Sequence, residues 1–162
     1  MTWMLLNMPP RAHYDMSVTF FLAMAGYVCL TAAAVGAVRQ PPKFLIRVTA
    51  AIVLSHVLLV WSVHYDWSLT AATRNGYAGF VMFHAALAAI VGAMAAPQPL
   101  ARRLIVAAFA IVSVGALGAV FRYDVVRIYR VPVIVCAAAG GIGVVRAARR
   151  AATAPQTHLE GT

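Results

Sequence analysis

At 162 residues the chain has room for one domain. Its composition, 63% hydrophobic and only 10% charged with a mean hydropathy of +0.84, excludes an ordinary soluble protein, in which about a quarter of residues carry charge. The 13 Lys and Arg against four acids give a net charge of +9. They gather at the ends of apolar runs, where they meet anionic headgroups, so the surplus points to lipid and carries no nucleic-acid signal.

The class this implies is all-α: a polytopic integral membrane helical bundle with five transmembrane helices, or four if the last apolar run is not a full span. Residues 1–16 form an outer segment with a brief apolar start and Pro9-Pro10, and no separate apolar region with a cleavage site precedes the first long run. The first span is expected over 17–38, with Ser17 as its N-cap and Arg39, Gln40, Pro41 and Pro42 ending it. The second is expected over 44–63 and the third over 77–96, where Pro97 and Pro99 stop the chain. A fourth follows over 103–121 and a fifth over 128–146, the last short in its apolar part but extended by Ile128 and Tyr129, with Arg127 and Arg130 able to snorkel. Residues 149–162 read as a polar cytoplasmic tail.

With five spans, one side receives Arg39, Lys43, Arg47, Arg102, Arg103, Arg146, Arg149 and Arg150, and the other Arg11, Arg74, Arg122, Arg127 and Arg130. The richer side is expected to be cytoplasmic, placing the N-terminus outside and the C-terminus inside the cytoplasmic membrane of a bacterium. Small residues at short spacing mark where helices approach: Ala85, Ala89 and Ala93; Ala32 and Gly36; Gly115 and Gly118; Ala139 and Gly143. Cys29 and Cys136 fall inside apolar runs and read as buried thiols.

Three triplets flank the spans on one side: His13-Tyr14-Asp15, His64-Tyr65-Asp66 and Arg122-Tyr123-Asp124. They read first as an aromatic belt at headgroup level. The alternative is a shallow metal site or proton path built from His13, His64, Asp15, Asp66 and Asp124, a mixed nitrogen and oxygen donor set.

His56 and His84 lie near the middles of the second and third spans, at nearly equal depth if these helices are antiparallel. An imidazole in hydrocarbon is costly without a partner, so each is a functional candidate and the other its expected partner. Either each merely fastens helices through a carbonyl or serine, Ser55 and Ser62 being close in sequence, or the two are axial ligands of a b-type haem. Phe80, Phe83 and Trp61 would line such a pocket, with Arg74 near its mouth. His64, eight residues beyond His56, is an alternative ligand.

The runs LSHVLLVWSVHYDW, YAGFVMFHAALAAIVGAMAAP and IVSVGALGAVFRY resemble the YozB-like small membrane family linked to haem–copper oxidase maturation. His64 matches that family's histidine at the end of one span, His84 the histidine of the next with Leu87-Ala88 near its Leu-Ala pair, and Val112-Ser113-Val114 a later run. The chain departs from the pattern where Lys43 and Leu100 stand in place of loop histidines, and in its fifth span. The resemblance implies an accessory role in assembling or serving a terminal oxidase, with histidines handling haem or copper.

No Gly-rich phosphate loop, nucleophile elbow or H-E-x-x-H stretch is present, and Glu160 is the only glutamate, which disfavours hydrolase and transferase chemistry. The sequence therefore points to a small inner-membrane, electron-transfer or non-catalytic subunit of the respiratory chain, bearing haem b or a metal such as copper. The alternatives are a structural or assembly subunit of a larger membrane complex without a cofactor, and a small membrane carrier. Its expected partners are the lipid bilayer and other membrane-protein subunits.

Overall fold

Long apolar runs bounded by prolines, glycines and arginines become helices because no other element of one segment satisfies its backbone in hydrocarbon. The computed structural model of the chain describes residues 10–37, 43–74 and 76–152, with side chains from Ser17 onward except those of residues 147 and 150–152. Its helices are α1 (Pro10–Gly36), α2 (Lys43–Val63), the short α3 (Leu69–Ala72), α4 (Tyr77–Ala95), α5 (Gln98–Arg122) and α6 (Arg130–Ala152), the last preceded by a 3-10 turn at Asp124–Tyr129. Among the described residues five helices are long and apolar enough to cross a membrane, and the fifth stretch, Asp124–Arg146, qualifies in full. This is a multi-pass, all-helical membrane protein.

Three boundaries differ from the sequence expectation. Ser17 is not an N-cap, because α1 already begins at Pro10, and proline loses nothing at a first helical position. In the same way Pro99 does not delay the fourth span to Arg103 but sits in the first turn of α5, which starts at Gln98. The third is the extra turn α3, capped by Ser68, whose Oγ accepts from the Ala71 amide at 3.3 Å.

Sequential hairpins set the order. Helix α1 packs most extensively on α2 and α4 on α5, while α2 meets α4 and α1 meets α5, so these four close a ring. Helix α6 lies against α1 and α5. Two glycines on α6 make that possible: a Cβ on Gly140 would stand 2.2 Å from the Phe109 ring of α5, and one on Gly143 would stand 2.7 Å from Val35 of α1. Three residues apart on a helix, they face directions about 60° apart, which fits a helix seated between two neighbours. Small residues do bring helices together here, in a register only partly the one expected: Gly115, whose Cβ would stand 2.6 Å from the Phe83 ring, Ala93 and Gly143 are among the expected ones, and Gly140 and Ala86 are not. Gly140 replaces Ala139 as the partner of Gly143, Ala86 and Ala93 flank Ile90 on the buried face of α4 while Ala85 is exposed, and Gly118 has nothing within 4 Å where a Cβ would point.

The core is built from Leu30, Ile46, Ile90 and Ile105 among many alanines. Its polar groups are paired within helices or across them: Thr31 and Thr49 donate to the carbonyls four residues earlier, and the Tyr27 and Ser113 hydroxyls join α1 to α5 at 2.8 Å. Outward stand large apolar side chains such as Phe21, Phe44, Val114 and Val131, as lipid contact requires. Because Tyr27 is buried, Ser113→Ala is expected to cost about 1–3 kcal/mol by stranding its hydroxyl. Tyr27→Phe with Ser113→Ala should recover most of that loss in a thermal unfolding series; no recovery would mean the pair does not hold α1 to α5.

The five-span path also fixes which loops share a side. With Cys29 and Cys136 replaced, a cysteine at Thr70 is expected to be labelled from one side of the membrane and cysteines at Gln98 and Arg149 from the other. Labelling of Thr70 and Gln98 from the same side would contradict the path.

Candidate functional site

His56 and His84 each lie seven residues from the end of their helix that adjoins the His64–Gly76 turn, so their depths match, as the sequence implied. Depth is not direction, however. Trp61 stands five residues after His56 on α2, which turns it about 140° around the helix axis. The structure uses both faces: Trp61 looks to α4 and His56 to α1.

On the first face, the His56 ring donates Nδ1–H to the Thr19 carbonyl of α1 at 3.0 Å. A carbonyl only accepts, so in the neutral imidazole the proton sits on Nδ1 and Nε2 carries a lone pair. Among the described residues Nε2 has no hydrogen-bond partner. The ring lines a half-open cavity of about 330 Å³ bordered by α1, α2, α4, α5, the 3-10 turn and α6. Phe20, Tyr27, Val53, Phe83, Ala116 and Tyr129 are among its walls, which are overwhelmingly apolar. The Tyr27 hydroxyl is already taken by Ser113, and Tyr129 packs its ring on Phe20 at 6.2 Å. Of the side-chain nitrogens on this wall, His56 Nε2 is the one poised to accept, and the Tyr129 hydroxyl is a second polar group on the same wall.

On the second face, His84 donates Nδ1–H to the Phe80 carbonyl at 2.7 Å and accepts at Nε2 from the Trp61 indole at 3.4 Å. Its ring stacks on Phe80 at 4.0 Å, and Trp61 further contacts Tyr65, Trp67 and Phe80. This aromatic cluster ties α2 and α4 together and holds the turn, where Asp66 and Trp67 take left-handed backbone angles of φ 44° and 57°. His84 does not line the cavity that His56 does. The two histidines are equal in depth, alike in tautomer and separate in partners.

His64 is exposed at the end of α2, and Asp66 and Asp124 are exposed on separate loops. Among the described residues no three His, Cys, Asp or Glu side chains converge as a metal site would need. The proposed donors His13 and Asp15 have side chains outside the described residues. Cys29 and Cys136 are both half-buried and free. Arg130 donates from Nε to the Val120 carbonyl at 2.8 Å and covers the Phe121 ring at 5.4 Å, which closes the end of α5.

Sequence reasoning missed Thr19, Tyr27, Ser113 and Tyr129 as members of this region. No local pattern marks them; only the angle between His56 and Trp61 on α2 hinted that His56 faces away from α4. Comparison with family models, with curated proteins and with solved structures finds no match to this chain.

Proposed function

We propose that the protein is a small membrane-embedded binding subunit that takes up a lipophilic ligand beside His56 and serves a larger membrane complex. One arrangement supports this reading: a lone-pair nitrogen, fixed by the Thr19 carbonyl, on the wall of a largely apolar cavity. Such a cavity holds an apolar body by packing and orients it with a single polar contact. Because Nε2 can only accept, the ligand carries a hydroxyl or comparable donor. Titration of the purified protein with 1-naphthol and with naphthalene tests this. Tighter binding of the naphthol is expected, and equal binding of the two would overturn the role given to His56.

A second reading, an electron-transfer subunit accessory to a respiratory complex in a bacterial cytoplasmic membrane, draws on the tautomer and on the resemblance to the oxidase-maturation family. An imidazole whose Nδ1–H is held by a carbonyl presents Nε2 in the form that ligates haem iron or copper. The placement of His84 does not fit a haem held between the two histidines, since His84 lies off the cavity wall with Trp61 at its Nε2. In this reading His56, and not His84, would hold the group, which would supply one-electron chemistry when bound. An absorption spectrum separates the readings: intense Soret bands lost in His56→Ala would favour the cofactor, and a spectrum of tryptophan and tyrosine alone would favour the lipophilic ligand. In either reading we infer an outside N-terminus and an inside C-terminus from the eight-to-five division of basic residues.

A further inference from the structure

At the opposite end of the bundle from the His64 turn, α5 begins with Arg102 and Arg103 on its second turn. From there a groove of about 360 Å³ runs between α5 and α6. Below the two arginines its walls are Ala34, Val106, Ala107, Ala110 and Val144, with no other charged group. From Arg102 to Ala110 the groove follows α5 for about 12 Å. Ala107 and Ala110 are exposed, so its floor opens outward where lipid tails lie. The only described carboxylates, Asp66 and Asp124, belong to the loops at the far end, so neither arginine has an acidic partner among the described residues. Arg146, in the last turns of α6, adds positive charge at the same level.

We propose that this groove binds one anionic phospholipid, its phosphate on Arg102 and Arg103 and one acyl chain along Val106, Ala107, Ala110 and Val144. Charge complementarity selects the headgroup: basic pockets between membrane helices take anionic lipids. The apolar length selects a lipid over a free anion, because a phosphate without a tail would leave the lower groove unused. Alanines in place of larger side chains make the room.

The full chain, purified in neutral detergent, is titrated with phosphatidylglycerol and with phosphatidylcholine of the same acyl chains, and bound lipid is counted by native mass spectrometry. Retention of phosphatidylglycerol but not phosphatidylcholine is expected, with affinity falling about tenfold or more in R102Q/R103Q. Ala110→Trp, at an exposed position, should weaken binding with both arginines intact, and it keeps the test open if the double variant fails to fold. Excess inorganic phosphate should not displace the lipid. Equal retention of the two lipids, unchanged binding in either folded variant, or displacement by phosphate would overturn the proposal.

Discussion

Gly140→Ala is expected to lower the stability of the bundle by about 1–3 kcal/mol, the usual cost of overpacking a core, whereas Gly141→Ala, one residue on, should be neutral or stabilising. Alanine is the better helix former by roughly 1 kcal/mol, so both changes start with the same local gain. What differs is the neighbour. A Cβ at Gly140 meets Phe109 at 2.2 Å, while nothing lies within 4 Å of one at Gly141. The Phe109 ring is buried and faces Tyr27 at 6.2 Å, itself hydrogen-bonded to Ser113, so making room displaces either that ring stack or α6. Phe109→Leu combined with Gly140→Ala should recover part of the loss in thermal unfolding. Equal effects at 140 and 141 would mean α6 does not dock where the structure puts it.

His56→Leu should behave in the opposite way, with a small effect on folding and a large one on binding. Its bond to the Thr19 carbonyl is a hydrogen bond between membrane helices, and such bonds average about 0.6 kcal/mol, so the thermal transition should shift little. Leucine fills a similar volume and keeps the wall of the cavity apolar. Lost instead is the acceptor nitrogen on that wall, and with it the discrimination between 1-naphthol and naphthalene, which should drop about tenfold, or roughly 1.4 kcal/mol. His84→Leu is the informative contrast. It removes the acceptor for the Trp61 indole and disturbs the stack on Phe80, so it should loosen α2 from α4 while leaving naphthol binding largely intact. A parallel loss of binding in both variants would point to one shared site.

The number of spans and the matched depth of the two histidines were legible in the sequence, because hydrophobic length and helical rise are local properties, whereas the prolines near the starts of α1 and α5 hid how early those helices begin. Direction around the helix axis was also available in principle: the offset between His56 and Trp61 assigns them to different neighbours. Which neighbour lies on which side was not, since that depends on the ring order α1, α2, α4, α5 and on α6 closing against α1 and α5. The same limit explains the partly shifted register of small residues. In a chain this rich in alanine many spacings of three and four exist, and only the position of Phe109 singles out Gly140. Tyr27 and Ser113, 86 residues apart, had no signal at all before the helices were placed.

The central claim, that the cavity beside His56 holds a lipophilic molecule, is tested most directly by extracting the purified protein with organic solvent and identifying what it carries by mass spectrometry. Alongside it goes Ala116→Phe, a variant that fills the cavity from α5. The wild-type chain is expected to yield a stoichiometric apolar compound bearing a hydroxyl group, and the filled variant to yield none. A wild-type extract containing only bulk membrane lipid, or the same compound at the same level from Ala116→Phe, would contradict it.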